Sequence, residues 1–303
     1  MTAAKALAIC ADDFGRNRAV DRGILRLAAT ERLTAVSCIV NPLSTLPDGH
    51  ANAHPHAHQE ATSAMGQLAA LRPVQAGRVR LGLHFNLTEG HPLSAALRQH
   101  WPQLPSLQRL LLLSHLRCLP LAALRDELRA QMARFEATRG AAPAHLDGHQ
   151  HVIHLPGVRD LVLAEAAARP ALRLRHTGHV AGPGFGLKRQ LIAGTGGRAL
   201  GSALLARGQA ANTTLLGVYD FLALDYRTLV QRWLAAAPPH GGLLFCHPGE
   251  ATTDPHDLHD PHDLHDPRDP HDPIAAARVR ELAYLSGPDF EADLHAAGVA
   301  LAF

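Results

Sequence analysis

The sequence predicts an α/β fold, a distorted (β/α) TIM-like barrel formed as a single domain over residues 1–303. Three observations predict it. Short apolar runs alternate with longer stretches of helical periodicity along the chain. The runs are aliphatic without strict polar alternation, as expected of parallel strands covered on both faces. Polar and ionisable residues recur just past the ends of these runs, and in parallel α/β folds the carboxyl ends of the strands open on one face, where ligands bind.

Residues 7–11, 34–40, 80–87, 145–147, 172–175 and 243–246 read as strands, with 298–302 as a last one. Helices are predicted at 19–29, where Val20, Ile24 and Leu27 share a face, and at 121–138, where Leu121, Leu124, Leu128, Met132 and Phe135 do and Gly140 follows as a stop. Others are predicted at 158–168, between Pro156 and Pro170, at 228–236 and at 274–285. Two stretches read as insertions. Residues 44–76 are rich in His, Ala, Pro and Gln. Residues 254–273 run DPHDLHDPHDLHDPRDPHDP, a tandem repeat whose prolines bar helix and whose Asp charges repel. A disordered surface loop is the expectation there.

Apolar residues make up 47% of the 303, enough for a large core, and aromatics only 4%, so that core is aliphatic. A net charge of +2 gives no electrostatic case for nucleic acid. Cys10, Cys38, Cys118 and Cys246 form no CxxC pair, and three sit in apolar runs. Reduced core cysteines in a cytoplasmic protein are expected. No apolar run approaches the ~18 residues of a membrane span, and no leader pattern is recognisable. A homodimer is left open on the commonness of such assemblies.

The chemistry lies at the strand ends. Asp12 and Asp13 follow the first strand, Asn41 the second, and His84 and Asn86 end the third. Asp147, His149 and His151 follow the fourth, Arg175 ends the fifth, and His247 follows the last strong one. Two adjacent carboxylates repel unless a cation or shared proton joins them, although an Asp there could instead cap the next helix. His84 alone reads more readily as a satisfied core histidine. HLDGHQHVIHLP, residues 145–156, packs four His and one Asp into a strand-to-loop transition, the density of a metal site. Which of its histidines binds depends on whether the chain turns at Gly148. His247 sits in a rigid His-Pro-Gly turn. Together, one or two Asp and two His would hold a single divalent metal with open positions for water and substrate. A spare carboxylate would serve as general base and a separate His as proton donor to a leaving amine.

At these motifs the chain resembles the YdjC-like carbohydrate deacetylases, a group that includes chitooligosaccharide and hopanoid-associated deacetylases. The matching blocks are ADDFGRN (11–17), LTAVSCIVN (33–41), LGLHFNLTEGHPL (81–93), HLDGHQHVIHLP (145–156), GVYDF (217–221), GLLFCHPGE (242–250) and DPIAAARVRELAYL (272–285). The resemblance implies a barrel with one divalent ion, Mg or Zn, on Asp13, His84 and His149. It implies Asp12 as general base, His247 as general acid or substrate contact, and a basic residue near Arg175. Asn41, Asp147, His151 and Arg175 stand as candidate substrate contacts. Gln150 interrupts a run of His common in the family, and the two insertions are longer than expected.

The function expected is therefore hydrolysis of N-acetyl groups on a carbohydrate, an N-acetylated oligosaccharide or a sugar-linked lipid. The alternatives are another metal-dependent amidohydrolase on the same barrel, or a histidine-rich metal-binding protein favoured by its 22 His.

Overall fold

The computed structural model describes residues 4–43, 55–251 and 272–303. Eight strands form one sheet: β1 (Lys5–Phe14), β2 (Ala35–Cys38), β3 (Arg80–Phe85), β4 (His145–Gly148), β5 (Arg173–Leu174), β6 (Thr214–Leu216), β7 (Gly242–Cys246) and β8 (Val299–Leu301). Their order is β5-β4-β3-β2-β1-β7-β6, with β8 added beside β1. Every pairing is parallel. The sheet curls until its two ends nearly meet. Leu174 bridges to Ala211 and Val180 to Leu215, and Ala181 N donates to Leu215 O at 2.9 Å. The result is a distorted, incompletely closed barrel.

Alternation along β1 sorts the two faces. Leu7, Ile9 and Ala11 pack outward in one cluster with Val20, Ile24 and Leu27 of helix Arg18–Ala29. Ala8 and Cys10 point inward, clustering with Ala35, Leu215, Leu243 and Phe245. A period of two residues makes this division automatic in any strand covered on both sides. Helix Leu121–Arg139 buries Leu124, Leu128, Met132 and Phe135 and stops at Gly140, whose φ of 78° suits glycine. Cys10, Cys38 and Cys246 are buried free thiols, and Cys118 is exposed.

The structure amends the sequence reading of both insertions. Residues 44–54 lie outside the described residues, but helix Pro55–Ala70 follows and buries Met65 and Leu68. Parallel β2 and β3 need a crossover, and this helix supplies it. In the repeat, residues 254–271 lie outside the described residues. Asp272 does not belong to a surface loop: it is buried and accepts from Arg278 Nε at 2.8 Å. Strand β6 and helices Ala95–His100, Leu107–His115, Gly186–Ile192, Arg198–Arg207 and Pro288–Ala296 were not expected from periodicity.

Candidate active site

The site starts from an irregularity. Register between β1 and β2 shifts between Ala11 and Phe14, and Asp13 takes a left-handed φ of 70°. In a regular strand, neighbouring side chains face opposite ways. A bulge re-aims them, so Asp12 and Asp13 both reach the carboxyl end of the barrel. Neither caps the following helix. That task falls to Asn17, which accepts from Val20 N at 2.9 Å. Gly15, at φ 90°, permits the close approach to β2: a Cβ there would lie 2.4 Å from Ile39 O.

Asp13, His84 and His149 converge. His149 Nδ1 lies 3.0 Å and His84 Nε2 3.4 Å from the same oxygen, Asp13 Oδ1. The three ligand atoms all lie within 4.8 Å of one another. Bonds of about 2.1 Å to one ion separate neighbouring ligand atoms by about 3.0–3.4 Å, so the spacing fits. The second ring nitrogens strengthen the fit. His84 Nδ1 faces Asp147 Oδ1 at 2.7 Å, and His149 Nε2 faces Glu89 Oε1 at 3.1 Å. Metal-binding histidines ordinarily have their far nitrogen held as His84 Nδ1 is held by Asp147, which fixes tautomer and ring plane.

Charge is arranged to match. Burial alone would raise the Asp13 carboxyl, but Arg278 and His149 hold it well below the usual carboxylate range. Arg278 Nη2 donates to Asp13 Oδ2 at 2.7 Å, leaving Oδ1 toward the histidines. Burial would also push His84 down. The carboxylates of Asp147 and Asp12, with hydrogen bonds to Asp13 and Asp147, outweigh it and carry the ring up to about 10.

Beneath this cluster lies a second polar layer. Arg175 holds Asp12 through both its oxygens and reaches Asp147 Oδ2 at 2.5 Å, and Ser37 Oγ donates to that same oxygen at 2.6 Å. Asp147 is 0% and Arg175 3% exposed, and the Asp147 carboxylate and both terminal nitrogens of Arg175 are spent on protein groups. Asn41 is likewise occupied: its Nδ2 donates to Glu89 O and His91 O, and its Oδ1 accepts from Asn86 Nδ2. The geometry gives these three expected substrate contacts positioning tasks.

His247 leaves β7 with its backbone N donating to Glu281 Oε2 at 2.6 Å. Glu281 also accepts from Tyr219 Oη, and burial pushes its carboxyl up to about 7. The His247 ring stands edge-on to Phe221 and Phe245, with Nδ1 lacking a partner among the described residues. Burial pushes it down to about 4 despite Asp13 and Asp12. The chain turns sharply at Gln150 and His151, which both adopt left-handed φ, at 52° and 63°. The His151 ring packs against Phe245 and His154.

Sequence reasoning missed Glu89, Arg16, Arg278, Ser37 and Glu281. Glu89 pairs with Arg16 beside His149, and burial is outweighed by His149 and Arg16 so that its carboxyl falls to about 2. A signal existed for all five, since each falls inside one of the motif blocks. What spacing could not give is the pairing of Arg278 with Asp13, 265 residues apart.

The chain is 34% identical over 167 residues to a carbohydrate deacetylase of Mus musculus, covering 53% of this chain and 46% of that one. It is 32% identical over 176 residues to a chitooligosaccharide deacetylase of Proteus mirabilis, covering 56% and 58%. The chain spans about half the length of the curated relatives it matches. A solved structure from Enterococcus faecalis, provisionally named a cellobiose-phosphate cleavage protein, shares the fold with a TM-score of 0.64 and 19% identity over 99% of this chain and 97% of that one. The family model described as YdjC-like protein matches residues 6–296, which takes in every strand-end residue of the site, and the chain therefore belongs to the YdjC-like family.

Proposed function

We propose that this protein is a divalent-metal-dependent hydrolase that removes N-acetyl groups from a carbohydrate, either an N-acetylated oligosaccharide or a sugar-linked lipid. The observation that carries the reading is the convergence of His84 and His149 on Asp13 Oδ1, with Asp12 held alongside. Relatives named carbohydrate and chitooligosaccharide deacetylase support the reaction class. A divalent ion held by Asp13, His84 and His149 would act as a Lewis acid on the acyl carbonyl and its attacking water. Such a donor set accepts Zn, Mn, Co or Ni, and Mg with more waters.

Asp12 is the proton acceptor in this reading. Arg175 fixes its orientation yet leaves each carboxylate oxygen a further lone pair for the attacking water. The proton that Asp12 would take from the attacking water is the one the leaving amine needs, and His247, whose ring burial keeps from holding a proton, would relay it there. Asp147 holds the His84 tautomer, and the Glu89 carboxylate stands beside His149 Nε2 as its counter-charge. Buried free thiols support a reducing, cytoplasmic setting. Among the described residues no helix is long and apolar enough to cross a membrane.

The test is acetate release from a panel of N-acetylated sugars, with metal loaded, chelated and restored. Release that stops on chelation and returns with metal is expected. Cleavage of other amides or esters without acetate release would move the protein to the amidohydrolase alternative. Several weak metal sites and no tight one would favour metal buffering.

A further inference from the structure

The interior of such a barrel is ordinarily filled by bulky branched side chains. Here β1 turns Ala6 and Ala8 inward, and Gly82 of β3 leaves room for the His145 ring: a Cβ on Gly82 would lie 2.3 Å from it. A cavity of about 160 Å³ remains, walled by the amino-terminal ends of β1, β5 and β7 and by Phe303. It lies on the side of the Arg175–Asp147 layer away from the candidate metal cluster, and nothing in the proposed reaction uses it.

Its polar groups are unmatched in a specific way. Ser37 Oγ must donate to the Asp147 carboxylate, because an ionised carboxylate only accepts. Ser37 then accepts from His145 Nε2, 2.9 Å away. That fixes the neutral tautomer of His145 and leaves Nδ1 a bare acceptor, buried and without a partner among the described residues. Arg175 Nε is a buried donor in the same state. Arg173 stands over the Phe303 ring, its guanidinium carbon 5.2 Å from the centroid, with no carboxylate on it among the described residues. The cavity thus offers one acceptor, one donor, one unpaired cation and an apolar wall of alanines. A cavity of ~150 Å³ takes a molecule of about six heavy atoms.

We propose that this cavity binds a short hydroxycarboxylate. Its carboxylate meets Arg173 and the Arg175 Nε–H, its hydroxyl donates to His145 Nδ1, and its carbons lie on Ala6 and Ala8. The proposal does not depend on the reaction assigned to the other end of the barrel.

Calorimetry on the metal-loaded protein tests it with three probes of similar size: lactate, propionate, which lacks the hydroxyl, and lactamide, which lacks the charge. Loss of the hydroxyl or of the charge is expected to weaken binding about tenfold or more. Arg173→Met should abolish the preference for lactate over lactamide, and Ala8→Leu should remove binding by filling the space. Lactate binding should survive chelation. The proposal is overturned if lactate binds no tighter than propionate and lactamide, or fails to bind. It is also overturned if binding disappears on chelation yet persists in Arg173→Met, which would place lactate on the metal cluster. Should Ala8→Leu not fold, Arg173→Met and the probe series decide alone.

Discussion

Arg175 grips both carboxylate oxygens of Asp12, with Nη1 2.5 Å from Oδ2 and Nη2 2.6 Å from Oδ1. The same Nη2 lies 2.5 Å from Asp147, so one guanidinium is shared between the candidate base and the carboxylate that orients His84. Arg175→Met leaves two buried carboxylates without their cation. Breaking a buried pair this way costs ~3–5 kcal/mol. A large loss of thermal stability is expected in a melting experiment. An unchanged melting temperature would show that water already reaches Asp12 and Asp147.

The two adjacent aspartates should separate cleanly. Asp13→Asn removes a charged ligand and should reduce bound metal. Asp12→Asn should keep the metal and slow acetate release, because an amide cannot accept the proton. General acid–base groups typically contribute ~10²–10⁴-fold, and His247→Ala should fall in that range with metal retained. Metal content measured beside turnover decides. Metal lost from Asp12→Asn but kept in Asp13→Asn would reverse the two roles.

A pH dependence follows from His84. In the metal-free protein its folded value is carried up to about 10 from 6.5. The stabilisation is therefore fully present below pH 6.5 and lost as pH rises through 10. Bound metal must displace that proton, so its contribution grows as pH rises. Asp21 and Glu281, both raised to about 7, weaken the two forms alike. The gap in melting temperature between loaded and chelated protein should widen between about pH 6 and 9. A gap independent of pH would remove His84 from the ligand set.

Deletions in the repeat should depend on where they stop. Removing 254–271 with a short linker is expected to leave stability and metal content intact, since loop length enters only logarithmically, at ~0.6 kcal/mol per doubling. Extending the deletion through Asp272 strips the partner of Arg278 Nε. An unmet buried donor costs ~1–3 kcal/mol. Equal melting temperatures for the two deletions would show that Asp272 is dispensable.

The strands that carry the site were legible because apolar runs end in ionisable residues, but the three candidate ligands were singled out only by the resemblance of their motif blocks, since His84 alone reads as a core histidine and spacing does not choose among the histidines of 145–156. The crossover helix Pro55–Ala70 was not, because Ala, His and Gln give it little apolar periodicity. Strand β6 is three residues long, too short for a pattern. Arg175 was noticed as a strand-end residue, yet its task was illegible: only the curl of the sheet decides whether an arginine there faces solvent or two carboxylates. His151 shows the same limit. Spacing left its direction open, and two left-handed residues settled it.

The counter-charge on Asp13 comes from Arg278, 265 positions later in the chain. A ribosome making this protein has emitted Asp12, Asp13, His84, His149, Arg175 and His247 before helix Ala275–Ser286 appears. Until that helix docks, Asp13 lacks its arginine and the His247 backbone lacks Glu281. The charge pairing of the candidate site is therefore completed only when that helix docks, and a nascent chain stalled after β7 carries every candidate ligand without a finished site.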